Sequence, residues 1–146
     1  MKMEIKVKKL TPSAKLPTYG SEFSAGADLY SDEEEFVIAP GETRLVHTGL
    51  AVEIPEGFGG FIYARSGLAS KKGLAPANKV GVIDADYRGE VMVALFNHSA
   101  AKQTVAAGER LAQLVIAPFL KADFIETEEL SDTERADGGF GSTGRK

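Results

Sequence analysis

The chain reads as an all-β domain, and three features of its 146 residues predict this. Apolar residues recur with period two rather than 3.6, turn-forming clusters interrupt them at short intervals, and no stretch carries a helical stripe. Short strands punctuated this regularly point to a sandwich or barrel.

The elements follow in order. Ala25-Gly26-Ala27-Asp28-Leu29-Tyr30-Ser31 is a small, apolar strand with one acid, which reads locally as an edge strand with Asp28 facing solvent. Phe36/Ile38, then Leu45 and Leu50/Val52/Ile54, are alternating strands separated by the turn cluster Ala39-Pro40-Gly41-Glu42. Phe61/Tyr63 follows the glycine-rich turn at 55–60. One helical turn is expected at Ala69-Ser70-Lys71-Lys72, between Gly67 and Gly73. Val80-Gly81-Val82-Ile83 is a buried strand ending at Asp84, and Val91/Val93/Leu95 is the next, with Asp84 to Gly89 closing a hairpin between them. The last strand is Leu111 to Ala117, preceded by the turn at Ala107-Gly108-Glu109.

At this length one core and one domain, residues 1–120, are expected. Residues 121–137 form an acidic linker: seven acids stand against Lys121 and Arg135, and only Leu130 could anchor its later part. A segment without apolar burial stays loose or lies on a neighbour's surface. Residues 138–146 are a glycine-rich end ending in the cations Arg145 and Lys146.

Composition excludes several function classes. There are no cysteines, which removes disulfides, thiolate nucleophiles and cysteine zinc sites and fits a reducing compartment. The N-terminus alternates charge with apolar residues, so neither a signal peptide nor a membrane span is expected and the location reads as cytoplasmic. A net charge of −4 argues against a nucleic-acid surface, because that affinity comes mostly from phosphate neutralisation.

Several clusters have the chemistry of a site. Asp84, at the mouth of the core, is placed to activate a water as general base; the competing reading makes it an ordinary turn residue. Arg65-Ser66-Gly67 combines a guanidinium fork, a hydroxyl and close backbone approach, which suits a polyphosphate. Gln113 is set in an apolar strand, where a buried amide costs about 1–3 kcal/mol unless it is partnered. His47 and His98 stand apart from any acid cluster at ligand spacing and read as strand or surface residues. The tail Gly139-Phe140-Gly141-Ser142-Thr143-Gly144 matches G-x-G-x-x-G, but no helix can follow it to hold a pyrophosphate, so it is not a dinucleotide turn.

Taken together, A-G-A-D-L at Ala25, A-R-S-G-L at Ala64, G-V-I-D-A-D-Y-R-G at Gly81, G-E-R-L-A-Q-L at Gly108 and G-G-F-G-S-T-G at Gly138 resemble the five ordered motifs of the trimeric all-β dUTPase family. The likeness spans nearly the full length. It implies a distorted jelly-roll, or β-clip-type barrel, in a homotrimer with sites at subunit interfaces. The implied activity is Mg²⁺-dependent cleavage of dUTP to dUMP and pyrophosphate, with the metal held by substrate phosphates and waters and by no protein side chain.

The resemblance also implies roles. Asp84 matches the acid that deprotonates the attacking water, and Tyr87 the ring beneath the deoxyribose that rejects a 2′-hydroxyl. Asn78 matches the amide that pairs with uracil, beside backbone groups of Gly81, Val82, Ile83 and Met92. Arg65, Ser66 and Gly67 match phosphate contacts from a neighbouring subunit, Gln113 a phosphate or metal-water contact, and Asp28 an acid near the metal and its water network. The tail becomes a flexible lid, with Phe140 stacking on uracil while Arg135, Gly141, Ser142 and Thr143 close on the phosphates. One departure stands out: Ala136 follows Arg135 where the family usually has glycine, which would strain a positive φ. A dCTP deaminase-like or bifunctional relative, and a non-catalytic jelly-roll nucleotide-binding module, are the alternative readings; the former lacks a deaminase-type acid arrangement here.

Overall fold

The computed structural model describes residues 2–144; Arg145 and Lys146 of the tail lie outside the described residues. The elements are β1 (Lys6–Lys9), β2 (Thr18–Tyr19), β3 (Ala27–Tyr30), β4 (Phe36–Ile38), β5 (Thr43–Glu53), β6 (Phe58–Tyr63), α1 (Ser66–Lys72), β7 (Leu74–Pro76), β8 (Gly81–Ile83), β9 (Glu90–Asn97), β10 (Gln103–Val105) and β11 (Arg110–Pro118). They form a four-stranded sheet in the order β1-β5-β9-β7, a five-stranded sheet β2-β3-β11-β6-β8 and the pair β10-β4. Every ladder is antiparallel.

Alternation drives the larger strands. Along β9, Val91, Val93, Leu95 and Asn97 are buried while the residues between them are half-buried. The core gathers Leu29, Ile38, Leu50, Leu74, Leu95 and Leu111, each at most 1 % exposed. Burying side chains of this size stabilises by about 1.5–3 kcal/mol each. β5 breaks the alternation: its register against β9 shifts between His47 and Leu50. Gly49 makes that irregularity possible, since its φ is +69° and a Cβ there would meet Asp32, Ala14 and Thr11 within 3 Å. Thr48, fully buried, donates its hydroxyl to the Val91 carbonyl across the irregularity. At the sheet edge, Lys6 and Glu53 face each other in the β1–β5 register. Lys6 Nζ bonds the carboxylate at 3.1 Å and holds its pKa below the usual carboxylate value.

Three local expectations are corrected, and four short strands had no counterpart in the sequence reading. β8 and β9 do not form a hairpin, because β8 pairs with β6 while β9 pairs with β5 and β7, so the Asp84–Gly89 turn crosses between sheets. Asp28 does not face solvent: β3 lies between β2 and β11, and the residue is 8 % exposed. The single expected helical turn extends to seven residues, stopped by Gly73 in the left-handed region at φ 68°. β1, β2, β7 and β10, at two to four residues each, were too short or too charged to show a period.

Asn97 ties the end of β4 to the loop after β9 from inside the core. Its Nδ2 donates to the carbonyls of Ile38 (3.0 Å) and Ala101 (2.8 Å), and its Oδ1 accepts from Ser99 N (2.9 Å) and Oγ (2.7 Å). Asn97→Ala leaves several of these groups unpaired, and urea unfolding is expected to show a loss of roughly 2–3 kcal/mol.

Candidate active site

The sequence-derived site residues sort into three separate places. The first is a cleft of about 260 Å³ lined by Asn78, Gly81, Val82, Ile83, Asp84, Tyr87 and Met92, with Leu45, Ile62, Glu90 and Val91 completing its wall. Asp84 is exposed one residue past β8, which leaves its carboxylate free for solvent or a ligand. The turn that follows is closed by Tyr87 N–H donating to Asp84 O (3.1 Å), and the Tyr87 hydroxyl donates to Glu90 O (2.8 Å). This folds the ring back over its own turn. Gly89 permits it, since a Cβ there would stand 2.5 Å from the Tyr87 hydroxyl. Asn78 is exposed at the start of a tight turn in which Lys79, at φ 66°, occupies the left-handed region.

The second place is a cleft of about 270 Å³ lined by Asp28, Arg65, Ser66 and Gln113, together with Gly20, Ser24, Ala25 and Gly26. Gln113 lies opposite Asp28 in the β11–β3 register and donates from Nε2 to Ala64 O at 2.9 Å. Gly26 leaves the space the amide occupies, because a Cβ would fall 2.4 Å from Gln113 Oε1. Gly67 is exposed in the first turn of α1, and its position has open space where a Cβ would stand. The two clefts share no lining residue.

The third place is the tail. Beyond Pro118 the described chain has neither strand nor helix, and Phe119, Leu120, Phe124, Ile125 and Leu130 are all exposed. Arg135, Gly138, Gly139, Phe140, Gly141, Ser142 and Thr143 curl around a hollow of their own, held by Arg135 Nε donating to Gly138 O at 2.7 Å. Ala136 has φ 47°, the conformation in which a glycine would be unstrained, and Phe140, fully exposed, has φ 51°.

Sequence reasoning missed four contributors. Arg110, inside the G-E-R-L-A-Q-L motif, reaches Asp28 with Nη1 at 3.4 Å; its partner is 82 residues away, and no local pattern marks it. His47 pairs through Nδ1 with the Glu90 carboxylate at the rim of the first cleft. Gly26 and Gly89 are conformationally ordinary, so only the packing reveals their use. No described helix is long and apolar enough to cross a membrane. The left-handed Lys79 generates one prediction: Lys79→Gly should raise stability by about 0.5–1 kcal/mol in chemical unfolding, strain relief outweighing the added chain entropy. A loss of stability would show that the turn needs the lysine side chain.

Comparison with known proteins gives the chain's family and fold. The dUTPase family model matches residues 12–144. The deoxyuridine 5′-triphosphate nucleotidohydrolase of Hydrogenobaculum sp. (strain Y04AAS1) is 50 % identical over 144 residues, covering 99 % of this chain and 100 % of that protein. The Nautilia profundicola protein of the same name is 52 % identical over 143 residues, covering 98 % and 100 %. Among solved structures, a mutant dUTPase of Staphylococcus bacteriophage 80alpha with dUpNHpp superposes with a TM-score of 0.89 at 31 % identity, covering 97 % of this chain and 98 % of that one. A mutant dUTPase from phage phi11 of S. aureus, described with a structural Mg(II) ion, gives 0.79 at 29 % identity, covering 87 % and 98 %. The two sheets are thus those of the dUTPase jelly roll, and the chain belongs to the dUTPase family.

Proposed function

We propose that the protein is a dUTP diphosphatase that releases dUMP and pyrophosphate, acting in sites assembled between copies of a homotrimer. The activity is that named for its relatives at about half identity over nearly full length. One observation within the fold carries the shared-site reading. Ile83 pairs with Gly60, so Asp84 emerges at that end of β6, whereas Arg65 follows the other end. The intervening five residues of extended chain span about 16 Å. Arg65 is turned farther away still, toward Asp28 on β3. The base and the phosphate-binding arginine of one copy therefore serve different sites, and a closed cyclic assembly brings the complementary cleft alongside.

In this reading the first cleft takes the nucleoside. Asn78 and the backbone of Gly81, Val82, Ile83 and Met92 present fixed donors and acceptors to the uracil edge, a mismatch that is costly when polar groups are left unpaired. The Tyr87 ring, pinned by its hydroxyl, lies beneath the deoxyribose and leaves no room for a 2′-hydroxyl. Asp84 accepts a proton from the water that attacks the α-phosphorus, and the bond from that phosphorus to the bridging oxygen breaks, so pyrophosphate leaves.

The second cleft of a neighbouring copy takes the phosphates through Arg65, Ser66, Gly67 and Gln113. The tail closes over them: Phe140 stacks on the base, while Arg135, Gly141, Ser142 and Thr143 meet the terminal phosphates. This divides the chain into a β body over residues 1–120, a linker over 121–137 and a lid over 138–146. Mg²⁺, when bound to the triphosphate, neutralises phosphate charge and polarises the reacting phosphorus. The residues present fit such a substrate-borne ion: the second cleft offers serine hydroxyls and an amide to water-mediated contacts, and Mg²⁺ retains several waters and favours phosphate oxygens.

Asp84→Asn is expected to lower kcat by about 10²–10⁴-fold while the affinity for dUpNHpp survives. In the same pyrophosphate-release assay the unaltered protein should turn over dUTP far faster than dCTP, dTTP or UTP. Equal turnover of all four, or an Asp84→Asn variant with full activity, would contradict the assignment.

A further inference from the structure

In the proposed function the turn from Asp84 to Gly89 carries both the base and the ring beneath the sugar. One backbone hydrogen bond closes it, Tyr87 N–H to Asp84 O at 3.1 Å. Among the described residues, its side-chain hydrogen bonds are those of Tyr87 and Arg88. We infer that Arg88 is a positioning residue that sets sugar specificity: its guanidinium clasps the turn from outside and ties it to β5, so that rejection of a ribose by Tyr87 depends on it. This deepens the function proposed above and rests on it.

Arg88 Nη1 donates to Ala85 O at 2.5 Å and to Tyr87 O at 3.1 Å, the carbonyls on either side of Asp86. Its Nη2 faces Glu53 Oε1 at 3.6 Å. A planar fork with several fixed donors can bridge three acceptors in this way. Glu53 is a firm anchor, because it ends β5, which is laddered to both β1 and β9. Ala51 pairs with Glu90, so Glu53 stands just beyond the start of β9, beside the turn. Lys6 takes the other carboxylate oxygen, Oε2, at 3.1 Å. Lys6 above all, and Arg88 after it, hold the Glu53 carboxyl below its ordinary pKa, so the anchor stays charged.

Tyr87 is thereby held at two points. Its hydroxyl donates to Glu90 O at 2.8 Å, which fixes the tip of the ring, and Arg88 fixes the backbone at its root. With the root released, the ring can pivot about its hydroxyl. Arg88 acts through the turn and not on the nucleotide: it is absent from the lining of the first cleft and borders a separate hollow with Glu4, Lys6, Glu53 and Glu56, whose carboxylates would repel a phosphate. The Arg88 and Glu53 side chains are 54 % and 45 % exposed. Pairs this exposed add little to stability and are screened by salt. Their effect belongs in a ratio of substrates, where a small displacement of the ring decides whether one hydroxyl fits.

The test compares kcat/KM for dUTP and UTP by pyrophosphate release from the full chain, with amide hydrogen exchange of residues 84–90 followed in the unliganded protein. Arg88→Ala should lower the dUTP-to-UTP ratio by about three- to tenfold and speed exchange at the turn, with thermal unfolding little changed. Arg88→Lys should fall between, since a single nitrogen cannot span both carbonyls and the carboxylate. Glu53→Gln should lower the ratio less than Arg88→Ala. In the unaltered protein added salt should lower the ratio, from which phosphate contacts common to both nucleotides cancel, and Glu53→Gln should remove that dependence. An unchanged ratio in Arg88→Ala, or an equal loss for the two nucleotides, overturns the inference. Unaltered protein that releases no pyrophosphate from dUTP would overturn the proposed function; exchange then still decides the clasp, faster exchange in Arg88→Ala keeping it and unchanged exchange removing it.

Discussion

Strand β6 is the constraint on which the arrangement of the site depends. It is laddered on one side to β11 and on the other to β8, so its direction and register cannot shift without breaking both. Gly60 lets this three-strand core close, because a Cβ there would press on Ile54, Ile83 and Leu114 at 2.8–3.2 Å. One end of β6 lies beside the exit to Asp84, and the other runs into Ala64, Arg65 and α1. The separation of Asp84 from Arg65 is therefore a property of strand length, not of loop conformation. The shared site proposed above rests on that separation.

Local rules are broken where the site would be, and kept elsewhere. The three described non-glycine residues with positive φ are Lys79, Ala136 and Phe140. One adjoins Asn78 and two belong to the tail. Such backbone costs of order 1–3 kcal/mol and persists only where surrounding structure enforces it. The core shows the opposite behaviour, with leucines and valines in alternating strands and Asn97 and Thr48 internally hydrogen-bonded.

What was legible in the sequence follows from how far each signal reaches. Period-two alternation is local, so β4, β5, β6, β9 and β11 were visible, as was the order of the five motifs. The Ala136 departure was visible too, and its φ of 47° gives the expected strain a location. Asp28 was not legible from its own strand. The charges that bury it come from residues 37 and 82 positions away, and a lone acid among small residues looks like an edge. The supposed β8–β9 hairpin failed for a related reason. A short turn suggests pairing between its flanks, but β5 and β6 each compete for one of those strands and win. Gly26 and Gly89 carry no conformational signature, so their close approaches to Gln113 and Tyr87 appear only in three dimensions.

The central claim is that Asp84 of one copy works with Arg65 of another, and subunit mixing tests it most directly. Asp84→Asn and Arg65→Ala proteins, each inactive alone, would be unfolded together in equal amounts and refolded. In a closed three-fold ring every mixed trimer holds one site with both groups intact, so about a quarter of the unaltered activity should return. A mixture that stays as inactive as its components, with mixed trimers demonstrated, would mean that each copy completes its own site.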